Sequence, residues 1–103
     1  MKAYYEENVE DYPFTYNFAT AEFTNPTDET LFRLSLFLVV LDDEDNILGM
    51  RGEELMKIFW FGVNPGSTIT WRDEITDGVL AMWARAGVAP TRVEGFALGY
   101  SFS

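Results

Sequence analysis

Leu31–Asn46 reads LFRLSLFLVVLDDEDN, an apolar run that stops abruptly in an acidic turn. From Leu34 onward, Leu34, Leu36, Leu38 and Val40 fall on one side of an extended chain. Arg33, Ser35, Phe37, Val39 and Leu41 fall on the other, which is the period-2 signature of a strand. Period alone does not separate an apolar run of this length from a buried helix, but the β-branched and aromatic content and the flanking turn signals favour a strand. Both faces are apolar from Phe37 on. The strand is therefore expected in the middle of a sheet, with a helix, a loop or another chain covering Phe37, Val39 and Leu41.

The run Asp42-Asp43-Glu44-Asp45-Asn46 crowds like charges and is read first as a solvated turn. As a calcium loop it would place Asp42, Glu44 and Asn46 at positions one, three and five and Glu53 at position twelve. Ile47, however, stands where the sharp turn needs glycine, and no helix is evident on either side. Asp42, Glu44 and Asn46 are thus candidates for weak, adventitious cation binding at most.

On the N-terminal side, Asn25-Pro26-Thr27-Asp28-Glu29 signals a turn, because Pro26 cannot join a ladder and Asn25 and Asp28 can cap one. Before it, Phe14, Tyr16 and Phe18 alternate, and then Ala19, Ala21 and Phe23 take over the pattern. This one-residue shift predicts a bulge near Phe18–Ala19. Phe14–Thr24 and Leu31–Leu41 are expected to form the first hairpin. Residues 1–12 mix acids and tyrosines without clean periodicity, and read as an extended or short helical leader, open to disorder, ahead of a single domain over 13–103.

On the C-terminal side, Ile47–Met50 begins a return strand, and Leu55–Val63 is a further apolar run ending in the turn signal Asn64-Pro65-Gly66-Ser67. Ile69, Trp71 and Asp73 then alternate with Thr68, Thr70 and Arg72. For residues 73–87 two readings are open. Asp77-Gly78 between apolar flanks suits a hairpin, whereas Val79, Met82, Trp83 and Ala86 share a helical face, with Thr76 or Asp77 as cap and Gly87 as stop. The preferred reading is one short helix near residues 77–86, closing an open end of the fold. Phe96, Leu98, Tyr100 and Phe102 alternate in the last strand. Gly95 and Gly99 lie opposite them and mark a close backbone approach, a bulge or a flat exposed surface.

The chain has 103 residues, enough for one core. Hydrophobic residues at 48% and aromatics at 17% place it among chains that fold. A net charge of −10 with only seven scattered Lys and Arg argues against nucleic acid and anionic membrane as partners. With no cysteine and no histidine, disulfides, thiolate metal sites and Ser–His or Cys–His catalysis are excluded. Neighbouring acids such as Asp73 and Glu74, or Glu53 and Glu54, point to opposite faces of a strand and make poor acid–base pairs. No cofactor is expected and the chain is not read as an enzyme. No apolar run is long enough for a membrane span, and the first residues do not form a signal sequence.

The order of these features resembles the FxLYD-like family of small immunoglobulin-like sandwiches of extracytoplasmic bacterial proteins. The residues carrying the resemblance are Phe23–Asn25, Leu34–Asp42 with its turn, Pro65-Gly66 followed by Ile69 and Trp71, and the closing strand. The acidic turn lacks the family's following glycine, and residues 73–90 are longer and more helix-like than the family's connection. The resemblance implies a mostly β, immunoglobulin-like antiparallel sandwich of about six to seven strands. It also implies an adhesive or spacer role in a bacterial envelope or secreted protein, and extracytoplasmic localisation rests on it alone.

Two functional expectations follow. One is a non-catalytic interaction domain with a protein partner or a second copy of itself, since a long apolar strand face or edge invites pairing. The alternative is a carbohydrate-binding module in which Trp60, Trp71 and Trp83 stack on sugar rings, although sandwich cores routinely bury a tryptophan.

Overall fold

The computed structural model describes residues 1–54 and 62–100. Six strands and one helix follow in order: β1 (Lys2–Asp11), β2 (Phe14–Thr24), β3 (Arg33–Leu41), β4 (Ile47–Glu54), β5 (Thr68–Ile75), α1 (Asp77–Ala86) and β6 (Arg92–Tyr100). They form two antiparallel three-stranded sheets, β1-β2-β5 and β4-β3-β6, so the mostly β expectation holds. β3 is indeed central, paired with β4 from Ser35↔Glu54 to Leu41↔Ile47 and with β6 from Arg33↔Tyr100 to Leu41↔Arg92. The expected run Leu55–Val63 lies outside the described residues except for its end, where Val63 bridges Leu31.

The expected first hairpin is not formed. β2 pairs with β1 and β5, and β3 lies in the other sheet, so the turn after Thr24 crosses between sheets. The reason is visible at Asn25, which is 2% exposed. Its side-chain amide donates to the carbonyls of Glu29 (2.8 Å) and Val63 (2.9 Å), and its Oδ1 accepts from the Thr27 N–H (2.9 Å) and hydroxyl (2.7 Å). Its backbone N–H donates to Ser67 and its carbonyl accepts from Gly66, both at 3.0 Å. A hairpin turn would leave this amide without partners in the interior, which is expensive. The crossing satisfies every group it carries.

The segment before Pro13 takes the extended alternative as a full edge strand, β1, rather than a helical or disordered leader. The predicted bulge is also displaced. β2 keeps unbroken register with β5 from Asn17↔Ile75 to Thr24↔Thr68, and the irregularity sits in β1 between Glu6 and Val9, where Asn8 adopts φ 56°. The Asn8 N–H donates to Asn17 Oδ1 at 2.7 Å. Asparagine tolerates that left-handed conformation better than most residues. Phe14, Tyr16 and Phe18 occupy one face of β2, and Ala19, Ala21 and Phe23 the other; a strand apolar on both faces imitates a bulge in the sequence.

Between the sheets, large side chains of β3 meet small ones of β2. Leu34, Leu36, Leu38 and Val40 are 5% exposed or less, and so are Ala19 and Ala21. One cluster joins Ala19, Ala21, Leu38, Val40, Ile75, Trp83 and Val93; a second joins Phe23, Leu31, Leu34, Leu36 and Val63, and Trp71 packs against both. Gly95 supplies the close approach anticipated as one of its roles. A Cβ there would lie 2.7 Å from Met1 Cε and 3.1 Å from Ala3 Cβ, so β6 and β1 close that side of the sandwich only because the residue is glycine.

The helix forms as preferred. Thr76, in extended conformation, accepts from the Val79 N–H at 3.4 Å, and Asp77 complements the positive end of the dipole. Gly87 at φ 75° ends the helix, with its N–H on Ala84 and that of Val88 on Trp83.

Replacing Asn25 by alanine should lower stability by about 3 kcal/mol, because the Val63 carbonyl loses its side-chain donor in the interior. Thr27→Ala, which removes an exposed hydroxyl from the same network, should cost less than about 1 kcal/mol. Urea unfolding of the two variants checks the difference, and equal losses would contradict the assignment of Asn25 as the anchor.

Candidate functional site

The outer face of β4-β3-β6 follows from register, since directly paired residues share a face. Its rows are Ser35 with Leu98, Phe37 with Gly52 and Phe96, and Val39 with Met50 and Glu94; Leu41, Ile47 and Arg92 follow at the end. Phe37 is 46% exposed, Phe96 55% and Leu98 50%, with Met50 and Ile47 more exposed still. The Phe37 ring lies flat over Gly52, where a Cβ would collide with its Cδ1 and Cε1 atoms. The residue without a side chain therefore lets an aromatic ring lie across two strands and makes the strip smooth.

Of the three residues expected to need a cover, Leu41 is buried, Val39 is half-buried and Phe37 remains open. The helix is not that cover. It sits on the far side of the sheet, where Trp83, 6% exposed, joins Leu38 and Val40 of the inner face.

There α1, β4 and β5 border a groove of about 350 Å³, whose apolar lining includes Leu48, Ile75, Val79, Met82 and Trp83. Arg51 of β4 and Asp73 of β5 meet at 3.2 Å on its wall and link the two sheets along this side. Asp73 lies on the inner face with Trp71 and Ile75, and Glu74 on the outer face beside Phe18.

Two of the three tryptophans expected as sugar platforms lie among the described residues. Trp83 belongs to the core, Trp71 is half-buried against both clusters, and Trp60 lies outside the described residues. Among the described residues the exposed rings of this sheet are Phe37, on the second face of the β3 alternation, and Phe96, in the alternating row of β6.

Asp42, Glu44 and Asn46 do come together, but as a self-capped turn. Asp42 Oδ1 accepts from the backbone N–H groups of Glu44 and Asn46, both at 2.9 Å, and its Oδ2 from the Asn46 side-chain amide at 3.0 Å. These bonds satisfy the Asp42 carboxylate within the turn itself. Among the described residues no cluster of three acidic side chains is arranged to hold a metal. Nor is any described helix long and apolar enough to cross a membrane. Comparison with known proteins returns no family model, no curated protein and no solved structure that matches this chain.

The hydrogen bonds from Asn46, first from its side chain and then from its backbone, with a smaller one from Glu44, hold the Asp42 carboxyl below its ordinary value of 3.8, against the opposing effect of burial. A group with a lowered folded pKa stabilises the fold above its unfolded pKa and loses that contribution as pH falls through the folded value. NMR titration should therefore find the Asp42 midpoint below 3.8, with the Glu44 and Asn46 amide shifts moving in step. A midpoint at or above that value would contradict the cap.

Proposed function

We propose that this chain is a non-catalytic interaction domain that associates with a second copy of itself through the outer face of β4-β3-β6. One observation carries the reading: Phe37, Phe96, Leu98, Met50 and Ile47 are exposed together on one flat sheet face. With about 100 Å² open per large side chain, the strip approaches 500 Å², the upper range of apolar patches on monomeric proteins. A rim of ordinary width brings it to the 800 Å² per partner of a standard interface.

The choice of a like partner rests on charge. The chain carries −10 overall, but of the strip's described charges Arg33 and Arg92 lie at its ends and Glu94 lies in the row of Val39 and Met50, and they do not sum to an acidic surface. Arg92 is also paired with Glu94 at 3.1 Å and Asp45 at 2.6 Å. Two copies meeting here bring apolar centres together and keep their acidic regions apart.

An immunoglobulin-like sandwich of the FxLYD kind is the fold type proposed within the two-sheet architecture, supported by the strand order of its motifs and by Asn25 at the end of β2. That resemblance implies an adhesive or spacer setting in a bacterial envelope or secreted protein, to which a self-associating face is suited.

Sedimentation velocity tests the reading. The wild type should form a concentration-dependent dimer, and the Phe37→Ser/Phe96→Ser double variant, checked for folding by circular dichroism, should be monomeric. A wild type monomeric up to about 1 mM, where association is worth less than about 4 kcal/mol, overturns the proposal.

A further inference from the structure

The opposite surface of the molecule, the outer face of β1-β2-β5, has a different chemistry. Rows read from the register place Tyr4, Thr20 and Arg72 together, then Glu6, Phe18 and Glu74, then Val9 with Tyr16, then Asp11 with Phe14. The three rings of β2 form a rail, with centroids 6.2 Å apart from Phe14 to Tyr16 and 6.0 Å from Tyr16 to Phe18. Phe14 is 62% exposed, Tyr16 and Phe18 are half-buried, and none of the three belongs to the core clusters between the sheets.

The chain itself shows what this surface can hold. The Arg72 guanidinium lies 5.4 Å from the Phe18 ring centroid and binds Glu6 through two hydrogen bonds, Nε to Oε1 at 3.0 Å and Nη2 to Oε2 at 3.1 Å. The Thr20 hydroxyl fixes the same carboxylate at 2.6 Å. Ring, carboxylate and guanidinium form one complete unit.

One step along the strands, next to Arg72, rings and carboxylates recur. Glu10 and Asp11 of β1 and Glu74 of β5 line a groove of about 450 Å³ together with Tyr16, Phe18 and Arg72. None of the three carboxylates has an ion-pair partner among the described residues; Lys2 is on Glu22, Arg51 on Asp73, Arg72 on Glu6 and Arg92 on Asp45 and Glu94.

We infer that this groove binds an arginine-bearing segment of a protein partner, its guanidinium stacking on Tyr16 and pairing with Glu74, Asp11 or Glu10 as Arg72 does on Phe18 and Glu6. A neutral sugar fits the rings but would cover three carboxylates without compensating their charge, which is unfavourable. A guanidinium compensates it and matches the ring faces. The site lies on the sheet opposite the apolar strip and does not depend on self-association.

The test uses the whole chain and the peptide Gly-Arg-Gly-Arg-Gly-Arg-Gly as probe, followed by amide NMR shifts. Binding should perturb residues around Tyr16, Phe18, Asp11 and Glu74, and weaken at least tenfold with citrulline in place of arginine. It should also weaken at least tenfold in Glu74→Gln and in Tyr16→Ala; Glu74 is exposed and has no ion-pair partner among the described residues, so its replacement keeps the fold. The Phe37→Ser/Phe96→Ser variant should bind as the wild type does, which separates this site from the apolar strip. Equal binding of the citrulline peptide, shifts confined to the ring-free acidic turn at 42–46, or perturbation of the groove by cellohexaose but not by the arginine peptide would each overturn the inference.

Discussion

Two sheets stacked face to face share no backbone ladder, so the chain must be held in place where it passes from one to the other. Asn25 does this by joining the end of β2 and the Thr27–Glu29 turn that follows it to the Val63–Ser67 approach to β5, which is remote in sequence. Beside it, Leu31 and Val63 exchange two backbone hydrogen bonds at 3.0 and 2.7 Å. A buried amide with every donor and acceptor filled admits few alternative chain paths, because any of them leaves a polar group unpaired. The register of β2 against β5 and the entry of β3 into the other sheet follow from that point.

Much of this fold was legible in the sequence. The alternation of Leu34, Leu36, Leu38 and Val40 located the central strand and its buried face, and the Thr76 and Gly87 signals located the helix. What misled the reading was apolar character on both faces of a strand. In β2, rings on the outside and alanines on the inside looked like one face that slips by a residue. The sheet-crossing turn was misread because Asn25 has the same composition signature in a hairpin as in a crossing; only its partners at 63 and 66, distant in sequence, distinguish the two. Of the two open readings of the tryptophans, sugar platform or core residue, Trp71 and Trp83 take the inward one, where large residues offset the small alanines of β2. The open aromatic positions were present in the pattern, but a period-2 count names two faces without saying which meets water.

The chemistry of the two outer surfaces divides sharply. One sheet presents an apolar strip whose described charges, Arg33, Arg92 and Glu94, do not sum to an acidic surface, and the other carries rings interleaved with carboxylates. Phe37 over Gly52 and Arg72 over Phe18 are the corresponding local devices. In the first, a ring is laid flat by removing a side chain from the neighbouring strand; in the second, a cation bridges a ring and a carboxylate on adjacent strands.

The helix is tied to the body differently from the strands. Trp83 is its one buried residue, with Val79 and Leu80 half-covered beside it, and it shares no ladder with either sheet. Its opening requires the withdrawal of Trp83 from the cluster it shares with Leu38 and Val40 rather than the loss of a strand pairing. Such an opening would uncover the flank between β4 and β5, where Arg51 and Asp73 meet, while leaving both sheets paired.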